Sequence, residues 1–253
     1  MNRSGPASAA KPGAILRALL FSMVLLPGAL AAQTDLRLRA GREAAILGTG
    51  MALHGAGLWQ HLQHQAPVRI TVDPLRLPGI DRSVVGHWGA PSNQASNILF
   101  GAATVASLAT VLINQHGQRP LEPVAIVAES VLLTSGLTNT VKEIARRPRP
   151  YLYDPGGPRT VDASGGDLLS FWSGHTANMA SITFSTAYMV QRSDASSALK
   201  TTTWIAAALA PAAMGYLRVR AARHFPTDVL AGYAVGAAVG ILVPYLHRPL
   251  EKR

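Results

Sequence analysis

The sequence predicts an all-α protein, a bundle of about six helices embedded in a membrane. Long apolar segments follow one another at 95–114, 124–141, 175–191, 201–216 and 229–245. None shows the alternating pattern of a half-buried strand, so each is predicted to be a helix. Their lengths approach the ~20 residues that cross a bilayer. They are rich in Ala, Gly, Ser and Thr, which allow helices to pack closely.

The mean hydropathy of +0.19 is low for a membrane protein. A compact soluble helical bundle with the same buried faces therefore remains an alternative, although segment length favours the membrane. The number and orientation of spans stay open, because segment 41–59 could either cross the bilayer or lie at its surface.

Residues 1–32 have the pattern of a secretory signal peptide. Arg3, Lys11 and Arg17 precede or flank an apolar core at 18–26, and Ala29-Leu30-Ala31 resembles a cleavage site. An uncleaved anchor is the alternative. We expect an exported protein of a bacterial inner membrane or periplasm. It divides into the signal (1–32), an N-terminal helix with a Pro/Gly-rich loop (33–94) and a main domain (95–253).

Composition excludes several classes of chemistry. The 253-residue chain has no cysteine, so it has no disulfide, no thiolate nucleophile and no cysteine-based zinc site. Its net charge is +10, and much of the basic excess lies in two short stretches, 142–149 and 218–223. Aromatic residues do not interleave these cations as a nucleic-acid stacking surface requires. The pattern indicates a local anion site rather than a nucleic-acid partner.

Three stretches carry the candidate chemistry: 142–150, 171–175 and 218–228. Pro226 suits the first turn of a helix, which places His224 just before that helix and Asp228 inside it. An Asp there can hold one imidazole nitrogen and leave the other free, as a nucleophile or proton carrier needs. Neighbouring arginines provide charged forks suited to phosphate. The alternative is a basic loop beside a membrane that happens to contain His and Asp.

Together the three stretches resemble the signature of the type 2 phosphatidic acid phosphatase (PAP2) and vanadium haloperoxidase superfamily. The matching positions are Lys142 and Arg149-Pro150, then Ser173-Gly174-His175, then Arg218, His224 and Asp228. Trp172 stands where the family usually has Pro, and Leu217 stands where it usually has Ser. The absence of that Ser could weaken one phosphate contact.

The resemblance implies a PAP2-like bundle and a metal-independent phosphatase acting on a phosphate monoester or diphosphate, with a lipid as the expected substrate. It assigns the nucleophile to His224, its orientation to Asp228, and the general acid and base to His175. Lys142, Arg149, Ser173, Gly174 and Arg218 would bind phosphate. No cofactor is expected; vanadate would be an inhibitor or, in a haloperoxidase, a cofactor. A soluble periplasmic acid phosphatase and a non-enzymatic lipid-binding scaffold are also compatible with these residues. The particular lipid and the oligomeric state are not predicted.

His54, His61 and His64 could suggest a metal site, but no carboxylate lies near them in the sequence and a two-histidine pair lacks a third ligand. We therefore expect no metal. The prolines and glycines of 66–93 predict an irregular loop. Its charged residues Asp81, Arg82 and His87 receive no role.

Overall fold

The computed structural model describes residues 36–86, 89, 91–114, 121–154 and 156–248. The predicted signal peptide and His87 lie outside these residues. The helices are α1 (Ala40–Gln63), α2 (Gly79–Arg82), α3 (Pro91–Ile113), α4 (Glu122–Ala145), α5 (Gly174–Gln191), α6 (Ser197–Arg220) and α7 (Pro226–Leu246). Two short strands are β1 (Val68–Thr71) and β2 (Thr160–Ala163), and short 3₁₀ turns lie at Pro74–Arg76, Pro150–Leu152 and Gly165–Leu168. The predicted helical architecture is confirmed.

The ends of the helices follow from local sequence. Helix α4 stops at Ala145 because Arg146 adopts a left-handed conformation with φ of 40°, and the prolines that follow cannot continue a helix. Ser173 caps α5 by accepting a hydrogen bond from the Thr176 N–H. Pro226 opens α7, as predicted for a residue that has a fixed φ and no N–H to leave unpaired.

The prediction of an irregular loop over 66–93 is wrong in part. Strand β1 forms an antiparallel pair with β2, with Val68 opposite Ala163 and Thr71 opposite Thr160. Helix α2 follows in the same region. Sequence reasoning missed the strand because the four residues of β1 stay solvent-facing or half-buried, and their partner lies far along the chain.

Helix α5 lies at the centre of the bundle and contacts α3, α4, α6 and α7. Its closest neighbour is α7, which presents glycines at four-residue spacing, Gly232, Gly236 and Gly240. A Cβ at each would run into the α5 backbone or its N-cap, at Ser173, Ala177 and Ser181 respectively. These glycines therefore allow the contact that brings the start of α5 against the start of α7.

Three stretches among the described residues are long and apolar enough to cross a membrane: Pro91–Ile113, Glu122–Leu152 and Pro226–Leu246. Segment length alone also made α5 and α6 possible membrane spans, but neither combines the required length and hydropathy. The position of α5 explains its weak hydropathy, because much of the helix is enclosed by protein. Large apolar side chains on the outer helices remain exposed, among them Val105, Leu209 and Leu230.

Candidate active site

The predicted site residues meet at one end of the bundle. Lys142 lies in the last turn of α4 and Arg218 in the last turn of α6, while His175 and Asp228 lie in the first turns of α5 and α7. The connection of α5 to α7 is direct: the Ser173 N–H donates to the Asp228 carbonyl at 3.0 Å. The C-terminal ends of α4 and α6 and the N-terminal ends of α5 and α7 therefore lie together in this region.

His224 is buried at the base of the site, with 2% of its surface exposed. Its Nδ1 lies 2.7 Å from the Ser170 carbonyl oxygen. A carbonyl can only accept, so Nδ1 carries the proton in the neutral imidazole and Nε2 retains the lone pair. The backbone before α5 thus selects the tautomer in which Nε2 can act as a nucleophile.

Asp228 supports this arrangement without a direct hydrogen bond to the ring. The sequence predicted that Asp228 holds a nitrogen of His224, but Asp228 Oδ2 is 3.9 Å from Nδ1, beyond hydrogen-bond range. Oδ2 instead accepts from Ser170 Oγ at 2.6 Å and from the Phe225 N–H at 2.9 Å. Asp228 therefore positions the Ser170 segment that holds the imidazole, and adds a negative charge nearby.

Arg147 connects Asp228 to a second buried carboxylate, Asp81. Its guanidinium donates to Asp228 Oδ1 at 2.5 Å and to Asp81 Oδ2 at 2.6 Å. Asp81 also accepts from the Thr227 N–H and hydroxyl at the start of α7. Both aspartates are fully buried. Sequence reasoning missed this network, since no local pattern marks Asp81 as a partner of α7.

Three cations surround the histidines. Lys142 Nζ donates to the Leu169 carbonyl at 2.6 Å, and Arg149 donates to the carbonyls of Gly166 and Arg223. In the part of the chain that the structure describes, these bonds go to neutral carbonyls, and neither cation has a carboxylate in direct contact. The site can therefore attract an anion.

Arg218 is the third cation, and α3 positions it. Its Nη1 donates to Asn93 Oδ1 at 2.9 Å and to Ser96 Oγ at 3.0 Å. Arg218 Nε is buried without a hydrogen-bond partner among the described residues. The first turns of α3 thus belong to the site, although Asn93 and Ser96 lie outside the three motif stretches and were not predicted to take part.

The environment of the site lowers the pKa of both histidines. Burial lowers the pKa of His175 to about 4, and the positive charges of Arg218, Lys142 and Arg149 add to the effect. Burial also lowers the pKa of His224 to about 3, although Asp228 opposes the shift. Both imidazoles are therefore neutral at pH 7 before an anion binds.

His175 faces α3 as well as the cations. Its Nε2 lies 3.1 Å from Asn97 Oδ1, and its ring meets Phe100 edge to face at 5.7 Å. Asn97 is a further neighbour that sequence reasoning did not identify. These contacts hold the ring at the start of α5, against the first turns of α3.

Ser173 is the N-cap of α5, and Gly174 is its first residue. The Ser173 side chain is fully buried, and its Oγ lies 2.9 Å from Thr176 Oγ1. This hydroxyl already caps the helix, so its predicted contact with phosphate stays a prediction. A Cβ at Gly174 would lie 3.1 Å from Thr138 Cγ2 and 3.7 Å from Lys142 Cε. Gly174 thus lets α5 approach Lys142 closely.

His61 of α1 and His64, which caps the end of that helix, have a carboxylate neighbour that comes from a distant part of the chain. Glu143 Oε1 lies 2.7 Å from His61 Nδ1, and Glu143 Oε2 lies 3.1 Å from His64 Nδ1. The sequence around these histidines contains no carboxylate, but α4 supplies one across the helix interface. A cleft of about 480 Å³ opens beside this group, and Leu58 and Lys142 are among the residues that line it.

A sequence profile of the PAP2 superfamily matches residues 123–252, which include every predicted site residue. The chain belongs to the PAP2 superfamily. Membership supports a phosphatase of the PAP2 fold. A similar solved structure is the transmembrane PAP2-type phosphatidylglycerolphosphate phosphatase from Bacillus subtilis. It has a TM-score of 0.46 and 20% sequence identity, and the match covers 78% of this chain and 95% of that one. No curated protein matches the chain.

Proposed function

We propose that the protein is a metal-independent phosphatase that hydrolyses a phosphate monoester or diphosphate of a lipid through a phosphohistidine intermediate. The observation that carries the proposal is the arrangement around His224. Its free Nε2 belongs to the same site as Lys142, Arg149 and Arg218, whose charges suit a phosphoryl group. Preorganised cations of this kind stabilise the charge that develops in phosphoryl transfer.

The first step transfers the phosphoryl group to the protein. The Nε2 lone pair of His224 attacks phosphorus, the bond from phosphorus to the leaving oxygen breaks, and protonated His175 gives its proton to that oxygen. The negative charge of bound phosphate offsets the positive charges of the three cations. Protonation of His175 is therefore more favourable in the complex than in the free enzyme. His224 keeps its Nδ1 proton on the Ser170 carbonyl throughout.

The second step hydrolyses the phosphohistidine and regenerates His224. His175, now neutral, removes a proton from water, and the water oxygen attacks phosphorus. The phosphorus–nitrogen bond breaks, inorganic phosphate forms, and the electron pair returns to His224 Nε2. Each histidine ends in its starting state, so the cycle needs neither a metal nor a second substrate besides water.

The lipid part of the proposal is supported by the apolar outer helices and by the cleft between α1 and α4. The cleft includes Leu58 and Leu169 and reaches Lys142, so an amphiphile could place its phosphate at the cations and its adjoining chain between the helices. Three stretches with the length and hydropathy of membrane spans support an enzyme embedded in a bilayer. Export to a bacterial inner membrane or periplasm remains the expectation from residues 1–32.

The test measures phosphate release by the full chain purified in detergent and EDTA. The substrates are phosphatidate, undecaprenyl diphosphate and a soluble aryl phosphate. Turnover of a lipid phosphate that is lost in His224→Ala, with the variant folded, is the expected result. Full activity of His224→Ala would refute the nucleophile. Turnover of the aryl phosphate alone would refute the lipid substrate, and vanadate should inhibit whichever reaction is found.

A further inference from the structure

A second group of titratable side chains lies at the other end of the bundle. Glu43 is in the first turn of α1, Glu129 is in the first half of α4, and His247 follows the end of α7. In α4 and α7 the candidate active site occupies the opposite helix end. One ligand-capable atom from each of the three residues lies within 4.8 Å of the others. Three helices separated in sequence thus bring two carboxylates and an imidazole together.

The hydrogen bonding of His247 determines what its other nitrogen presents to the carboxylates. Nδ1 lies 2.7 Å from the Val243 carbonyl oxygen, so it carries a proton. In the neutral ring, Nε2 then has a lone pair, and it lies 3.0 Å from Glu129 Oε2 and 3.2 Å from Glu43 Oε1. With both carboxylates ionised, a lone pair beside their oxygens is unfavourable unless a cation lies among them.

A proton on Nε2 would be one such cation, but the geometry does not favour it. His247 Nε2 and Glu129 Oε2 are both buried and have no hydrogen-bond partner among the described residues, despite their short separation. His247 is fully buried and Glu129 is 3% exposed. The oxygens therefore flank the nitrogen instead of lying where an N–H would point.

A metal ion accounts for these distances. Bonds of ~2.0–2.2 Å at angles between octahedral and tetrahedral values separate neighbouring ligand atoms by roughly 2.8–3.6 Å. The observed separations from Nε2 are 3.0 and 3.2 Å. The Val243 carbonyl plays the part of the outer group that fixes the tautomer of a metal-binding histidine.

We propose that Glu43, Glu129 and His247 bind a divalent transition-metal ion that ties α1, α4 and α7 together. Imidazole and carboxylate ligands without thiolate suit ions such as Zn²⁺. The neighbouring cation is Arg42, whose Nη2 contacts Glu43 Oε1 at 2.9 Å. Through Nη1, Arg42 also donates to the Leu246 carbonyl at the end of α7, and Glu43 Oε1 accepts a further hydrogen bond from the Arg39 N–H at 2.9 Å. The two carboxylates match the two charges of the ion. The site is structural and does not depend on the proposed phosphatase reaction.

The experiment measures zinc binding by the full chain in detergent. After EDTA treatment and removal of the chelator, the protein is dialysed against buffered Zn²⁺, and bound metal is measured by mass spectrometry. We expect about one ion per chain and a zinc-dependent rise in the apparent melting temperature. His247→Gln and Glu129→Gln should each weaken binding at least ~100-fold, since even outer groups contribute 10–100-fold. The control His61→Gln/His64→Gln removes the histidines near Glu143 and should leave binding intact.

Two results would overturn the proposal. One is a wild-type protein with no bound zinc and no change in melting temperature, which would make the cluster an imidazolium with two carboxylates. The other is zinc that survives His247→Gln but is lost from the His61→Gln/His64→Gln control. If the cluster variants do not fold, X-ray absorption on zinc-loaded wild type replaces them. It should show one imidazole and oxygen ligands at ~2.0–2.2 Å, and spectra with two imidazoles or none would also overturn the assignment.

Discussion

Arg147 should contribute more to stability than a surface arginine whose ion pair is of similar length. It donates to Asp228 and Asp81, which are both fully buried. Arg147→Ala would leave two carboxylates without their shared partner in the protein interior. Removing one partner of a buried ion pair costs about 3–5 kcal/mol, because the remaining charge stays desolvated. A chain of this length loses roughly 2–4 °C of melting temperature per kcal/mol, so we expect a fall of about 6–20 °C.

The matched control is Arg159→Ala. Arg159 Nη1 lies 2.7 Å from Asp73 Oδ1, but 65% of the Arg159 side chain is exposed. Water and salt screen an exposed pair, and the carboxylate that remains after the substitution stays hydrated. The melting temperature of Arg159→Ala should therefore stay close to that of the wild type, although its ion pair is only 0.1–0.2 Å longer than those of Arg147.

Thermal unfolding followed by circular dichroism in detergent gives both shifts, and phosphate release from an aryl phosphate gives the effect on the site. Arg147→Lys keeps the charge but has no planar fork to reach both carboxylates. It should recover part of the stability while activity stays reduced, since Asp228 and the Ser170 segment lose their fixed position. Equal melting shifts for Arg147→Ala and Arg159→Ala would refute the reasoning. So would full activity in Arg147→Lys together with full stability.

Three further predictions concern the proposed reaction and its substrate. His175→Ala should lose much less activity on para-nitrophenyl phosphate than on an alkyl phosphate, because general acid catalysis, typically ~10²–10⁴-fold, matters most for a poor leaving group; equal losses with chemistry rate-limiting would remove the acid role. Because the pKa values of His175 and His224 are lowered in the folded protein, the unfolded chain binds more protons than the folded protein once the pH is below the unfolded-state histidine pKa of about 6.5. Their contribution to stability is therefore lost as pH falls from about 6.5 toward the folded pKa values of about 4 and about 3. The melting temperature should fall between about pH 6.5 and about pH 5, and less steeply in His224→Gln; an identical slope in that variant would contradict the assignment. Leu58→Glu should raise KM for a lipid phosphate and leave the aryl phosphate unaffected, whereas Met51→Glu, exposed on the same helix outside the cleft, should change neither; equal effects of the two variants would remove the cleft from substrate binding.

The sequence by itself determined the main helices and indicated the candidate site residues. Apolar segment length predicted the main helices, and the local rules for Ser173 and Pro226 placed the starts of α5 and α7. These features depend on neighbours within a few residues, so a single sequence contains the necessary information. The resemblance of the three motif stretches to the PAP2 signature likewise indicated Lys142, His175 and His224 as candidate site residues without knowledge of the tertiary structure.

The tertiary structure decided which groups act on those residues. Ser170, not Asp228, bonds the His224 ring; Asp81 joins Asp228 through Arg147; and Asn93 helps to hold Arg218. The same is true of Glu143 beside the α1 histidines, which have no carboxylate near them in the sequence. Each partner lies dozens of residues away and is selected by helix packing.

The glycines of α7 show why sequence spacing could not reveal these contacts. Gly232, Gly236 and Gly240 could have been predicted to share one helix face, but not to meet the backbone of α5. That contact sets the distance between the starts of α5 and α7, and so the position of Asp228 against Ser173. A hydrogen bond requires partners to be within about 3 Å of each other. Only the packed bundle specifies distances at that scale.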